Sequence, residues 1–168
     1  HEIDFRYTDA LSMADNVMTY RLVVKEIAMK HGVYASFMPK PLEGQNGSGM
    51  HTHQSLFKGG KNAFWDPKAK WEISQVGLGY IGGLLKHARG FAAVTNQLIN
   101  SYKRLVPGYE AQVNVAWSMR NRSPLVRIYA RAETSDGRWA EVLGILSDGT
   151  PYLSDWHAAG KWSRIATP

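Results

Sequence analysis

At 168 residues the chain has room for one domain with a hydrophobic core and is too short for two. Hydrophobic residues at 44% and charged residues at 20% exclude a disordered chain, and no apolar run approaches the roughly 18 residues that a membrane-spanning helix needs. The lack of cysteine excludes disulfides and thiolate metal sites, while a formal charge of +6 from 20 basic and 14 acidic residues points to an anionic partner, either nucleic acid or a small substrate.

Residues 2–7 alternate, with Glu2, Asp4 and Arg6 on one face and Ile3, Phe5 and Tyr7 on the other, the pattern of a strand. Thr8 or Asp9 then caps a helix whose stripe, Met13, Val17, Tyr20, Val24 and Ile27, recurs at steps of three and four. Lys30, His31 and Gly32 end it with a basic turn and a C-cap glycine, and the stripe is expected to pack on a sheet. Residues 33–38 read as a second strand. A loop holding Pro39, Pro41, Gly44, Gly47 and Gly49 leads to a third strand over 50–56. Alternation there places His51, His53 and Ser55 on one face, with the two imidazoles about 6.5–7 Å apart, close enough to serve one metal and nucleotide site or to be two exposed strand histidines.

Gly59-Gly60-Lys61-Asn62 reads as a hairpin turn before Ala63-Phe64-Trp65. A second amphipathic helix is expected over about 71–89, with Val76, Tyr80, Ile81, Leu84, Leu85 and Ala88 on its apolar side. The spacing Gly77-x-Gly79-x-x-Gly82 matches a dinucleotide fingerprint in letters only, because it lies inside a helical stripe instead of between strand and helix. Residues 96–110 have a loop-like make-up with a turn at Pro107-Gly108; strands follow over 113–117 and 125–130, and Ser135-Asp136-Gly137 makes a hairpin into 139–145. Beyond Asp148-Gly149 the tail shows little periodicity. Arg104, Arg120, Arg122 and Arg127 sit among small and apolar neighbours instead of in a basic run, which favours a phosphate pocket over a nucleic-acid surface.

Four segments carry a resemblance: HEIDFRY at 1–7, MPKP with NGSGMHTHQS ending at Ser55, NSYKRLVPGYEA at 100–111 and AWSMRNRSPLVRI at 116–128. In order and spacing they are similar to the catalytic domain of the glutamine synthetase family, over residues 1 to about 130. The resemblance implies an α+β fold: a mixed or antiparallel sheet of about six strands with two main helices on one face and the liganded residues on the other. It also implies an ATP-dependent ligase that phosphorylates the γ-carboxylate of glutamate and transfers it to ammonia, with Mg²⁺ or Mn²⁺ as cofactor and ATP, glutamate and ammonium as partners. By the same resemblance Glu2, His51 and Glu141 are metal ligands, and His53, Ser55, Arg122 and Arg127 contact nucleotide. Asn46, Gly47 and Arg104 hold glutamate, and Glu110 and Arg122 are catalytic, Glu110 as the flap that closes over the acyl-phosphate.

Departures from the family pattern are Gln112 and Tyr129 where proline is usual, and Leu143 in place of a substrate-binding arginine two residues after Glu141. The chain, one domain over 1–168 with a divergent tail from 151, is expected to be a piece of a longer cytoplasmic homo-oligomeric protein that binds neither nucleic acid nor membrane. Alternative readings are a non-catalytic nucleotide- or phosphate-binding remnant, which Leu143 favours, and a γ-glutamyl ligase using another amine. A basic nucleic-acid-binding domain lacks its basic helix, and a zinc hydrolase built on His51 and His53 lacks a third histidine in a matching setting.

Overall fold

The structure, a computed structural model, describes residues 3–109, 111–119 and 123–128, together with the backbone of 132–133, 139–140 and 143–147. Helix α1, Ala10–Lys30, begins where Asp9 accepts the Ser12 N–H at 3.0 Å. It ends in a Schellman arrangement: Gly32, at φ 68°, donates to the Met29 carbonyl and Val33 donates to that of Ala28. The expected stripe is half-buried at Met13, Val17, Tyr20 and Val24, but its covering is different from the expected sheet. Tyr20 stands edge-on to Phe5 at 5.0 Å and to Phe37 at 5.5 Å, so the segments before and after the helix fold onto it. Those segments, 3–7 and 33–38, were expected to be strands and have no regular structure. A strand needs a neighbour to satisfy its backbone, and no described segment pairs with either.

Strand β1, Met50–Gln54, forms as the alternation predicts. β2, Phe57–Lys58, and β3, Lys61–Asn62, make the expected hairpin about Gly59 and Gly60, both at positive φ (58° and 75°), where glycine alone is unstrained. Helix α2, Gln75–Thr95, starts later than its pattern suggests. Trp71 and Glu72 have φ of 61° and 56°, which a helix cannot hold, and Ser74 supplies the cap by accepting the Gly77 N–H at 3.1 Å. A short helix α3, Ile99–Arg104, replaces the expected loop. Six residues do not sustain a helix alone, and this one is held by burial of Ser101 and Arg104.

The remaining strands are β4, Asn114–Ser118; β5, Pro124–Ile128; β6, Ala132–Glu133; β7, Trp139–Ala140; and β8, Leu143–Ser147. β6 and β7 pair antiparallel, and the turn expected at 135–137 lies outside the described residues. Four strands form one mixed sheet in the order β1-β8-β5-β4, antiparallel except for the β4–β5 pair. The fold is thus α+β, as expected; among the described residues the main sheet has four strands, beside two short ladders.

The core lies between α2 and the sheet. Phe64, Ile73, Ile81, Val126 and Ile128 are buried together, with Leu78, Tyr80, Leu84, Leu85 and Trp117 packed around them. Phe64 and Tyr80 rings approach to 5.0 Å, and Trp71 meets Trp117 edge-on at 5.5 Å. Gly77 lets α2 come close: a Cβ there would stand 2.9 Å from Ile73 Cγ2 and 3.2 Å from the Phe64 carbonyl oxygen. The Tyr80 hydroxyl donates to Gln54 Oε1, joining α2 to the same face of β1. No helix among the described residues is long and apolar enough to cross a membrane.

Candidate functional site

The sheet register separates two faces. Thr52, Ile145 and Val126 share one row across β1, β8 and β5, and Gln54, Leu143 and Ile128 share another; Val126 and Ile128 are core residues, so these rows face α2. His53, Gly144 and Arg127 form the intervening row, and parallel pairing with β4 adds Ser118 next to Arg127. This row faces away from α2, and alternation sets His51 on the same side. Gly144 puts no side chain between His53 and Arg127, which lie two strands apart, about 9–10 Å of backbone spacing.

The ring nitrogens of His51 and His53 are buried, and Arg127 is 2% exposed. Loss of water around the imidazole, and secondarily the positive Arg127, lower the His53 pKa to about 4. His53 is therefore neutral near pH 7, with a lone pair to offer a donor or a cation. A neutral imidazole and a buried guanidinium fork on one face suit a ligand carrying phosphate. Ser55 follows one residue after the end of β1 and is half-buried.

The second group of candidates meets at α3. The loop leading to β1 folds back on itself, with Ser48 donating its N–H to the Pro39 carbonyl at 2.8 Å. Gly47 lies against the Arg104 side chain: a Cβ at 47 would fall 2.2 Å from the Pro39 carbonyl oxygen and 2.9 Å from Arg104 Cγ and Cδ. Glycine at this position is what admits the arginine, which is 1% exposed. Asn46, next to Gly47, is exposed. Two residues near this loop lie within the family-like segment 100–111 and had no role assigned: Asn100, whose amide bonds both backbone groups of Lys40, and Tyr109, whose ring lies under the Lys40 ammonium.

The structure thus brings Gly47 to Arg104, and His51, His53 and Arg127 to one face of the sheet. Glu2, Glu110, Arg122 and Glu141 lie outside the described residues. Among the described residues no group of three or more His, Asp or Glu is placed to hold a metal ion, and of the three candidate ligands only His51 is described.

A family model described as glutamine synthetase, catalytic domain, matches residues 1–155, beyond Ile128 where the pattern fades to the eye. A protein of Thermus thermophilus named glutamine synthetase is 63% identical over 154 residues, which is 92% of this chain and 34% of that protein. One of Methanosarcina mazei with the same name is 65% identical over 130 residues, 77% of this chain and 29% of that protein. The chain is also similar to the cryo-EM structure of Plasmodium falciparum glutamine synthetase, with a TM-score of 0.76 and 31% identity over 84% of this chain and 27% of that one. The chain spans about a third of the length of the curated relatives it matches.

Proposed function

Because the chain belongs to the glutamine synthetase family, we propose that it forms part of the catalytic domain of an ATP-dependent ligase that joins glutamate to ammonia. The observation that carries this reading is the packing of Gly47 on Arg104 beneath a loop that runs directly into the strand of His51 and His53. One continuous segment, 46–53, then serves both substrates: Asn46 and Gly47, with Arg104, on the glutamate side, and His53, with Ser55, on the nucleotide side.

In this reading the Arg104 guanidinium pairs with a glutamate carboxylate and fixes the γ-carboxylate for attack. The forks of Arg127 and Arg122 take phosphate oxygens, whose negative charge spreads as the γ-phosphoryl group leaves ADP for the carboxylate. Glu110 closes over the acyl-phosphate, keeps water from it, and accepts a proton from ammonium so that neutral ammonia attacks the acyl carbon and releases phosphate. His51, with Glu2 and Glu141, would hold Mg²⁺ or Mn²⁺. Such ions would neutralise the charge of the ATP phosphates. A soluble cytoplasmic homo-oligomer is the proposed setting for the full protein.

Calorimetric titration of ATP and of glutamate into the chain tests the reading. Arg127→Ala should weaken ATP by roughly 1.5–3 kcal/mol, and Arg127→Lys, which keeps charge and loses the fork, by less. Equal affinity in all three proteins would overturn it. With about a third of the relatives' length present, the chain by itself is expected to make no measurable γ-glutamyl product.

A further inference from the structure

Helix α3 holds both limbs of the loop that carries Asn46 and Gly47. Asn100 and Arg104 are one turn apart, so they lie on the same side of α3. Asn100 Oδ1 accepts the Lys40 N–H at 2.6 Å while its Nδ2 donates to the Lys40 carbonyl at 3.0 Å, fixing the first limb at one residue by two bonds. Arg104 packs against Gly47 on the second limb, and the Ser48 to Pro39 bond ties the limbs together.

With its backbone so fixed, the Lys40 side chain reaches two places. Its ammonium donates to the carbonyl of Gln45, at the loop tip beside Asn46, and stands 3.8 Å from the centre of the Tyr109 ring. Tyr109 is followed directly by Glu110. An exposed lysine over a ring adds little, but Lys40 and Tyr109 are both half-buried, where the attraction is stronger. We propose that Lys40 is a positioning residue, a latch through which the glutamate-side loop and the turn at Tyr109 order each other. The inference rests on the glutamate reading of Asn46, Gly47 and Arg104 and adds to it a coupling. Occupancy of the carboxylate site stiffens the loop tip, the tip holds the ammonium over Tyr109, and linkage makes the effect reciprocal.

Amide hydrogen exchange on the whole 168-residue chain tests the latch, because Tyr109 is separated from the bond between Ser48 and Pro39 by Lys40. Tyr109→Leu should speed exchange at Ser48 about threefold to tenfold while the amides of β5 keep their wild-type rates. Lys40→Met should do the same, and Lys40→Arg, which keeps the cation and a donor, should restore slow exchange. Unchanged Ser48 exchange in Tyr109→Leu would overturn the proposal. So would a uniform rise that includes β5, which would make Lys40 a stability contact only. Glutamate titration followed at the Gly47 amide separates the two readings. A wild-type chain silent to glutamate, with the exchange coupling intact, sinks the substrate assignment and supports the latch. Equal glutamate response in wild type and Tyr109→Leu sinks the latch and supports the substrate assignment.

Discussion

Helices α1 and α2 are each 21 residues long, each capped by an acceptor side chain at its first turn, and each striped with apolar residues. α2 contacts strands β4 and β5 and buries Gly77, Ile81 and Ala88, whereas α1 buries no residue at all. Leu11, Met18 and Leu22 of α1 are 74%, 69% and 61% exposed. A 3.6-residue stripe therefore specifies which face of a helix is apolar, and a glycine that admits a neighbour specifies what lies on it. α2 has Gly77 at the contact with Phe64 and Ile73, and α1 has only side chains on its surface.

Substitutions that treat the two regions alike should give unlike results. Phe64→Ala, in the buried cluster under α2, is expected to cost about 3–5 kcal/mol in denaturant unfolding, and a cost under 1 kcal/mol would show that α2 is no better packed than α1. Acid sharpens the contrast. Unfolded histidine binds a proton near pH 6.5 while His53 stays neutral until about pH 4, so the unfolded state is the more protonated between those values. Stability should fall through that window by roughly 3 kcal/mol as pH is lowered and level off below it, and His53→Gln should remove the slope. The Asp9 cap of α1 titrates lower: the hydrogen bond from Ser12 depresses its pKa, so its contribution is complete above the ordinary value of 3.8 and is lost only as pH falls through the lower folded value. Circular dichroism at stepped pH would show one window if the regions were equivalent.

Smaller effects should differ in sign. Gly77→Ala forces Ile73 and the Phe64 backbone aside and should destabilise by about 1–3 kcal/mol, while Gly79→Ala, with nothing within 4 Å of its Cβ, should stabilise by about 0.5–1 kcal/mol. Thermal melting that moves both in one direction would contradict the packing described. Least of all, Leu22→Ala on α1 should stay within about 0.5 kcal/mol of wild type, and a larger loss would reveal a partner on that face.

Local signals proved legible: both helices, the hairpin at Gly59 and Gly60, the alternation at His51 and His53, and the Gly32 cap. The strand readings at 3–7, from alternation, and at 33–38 misled, because a strand is a pairing and a local pattern names only one of its members; Phe5 and Phe37 serve Tyr20 instead. α3 was missed since six residues with weak propensity become helical only through the burial of Ser101 and Arg104. For the site, the resemblance named Gly47 and Arg104, and the structure explains why the first must be glycine for the second to fit. Lys40 and Asn100 are 60 residues apart, and nothing local to either announces the other.

The edge-on pair of Trp71 and Trp117 has an optical consequence. Two indoles 5.5 Å apart and inclined at 75° have transition dipoles close and oblique enough to couple as excitons. The chain should carry a paired band of opposite signs in its far-ultraviolet dichroism, unrelated to helix or strand content. Since Trp71 lies in the turn before α2 and Trp117 on β4, that band reports one docking event, the turn against the sheet. Its loss on heating, compared with loss of the helix band, would show whether α2 leaves the sheet before it unwinds.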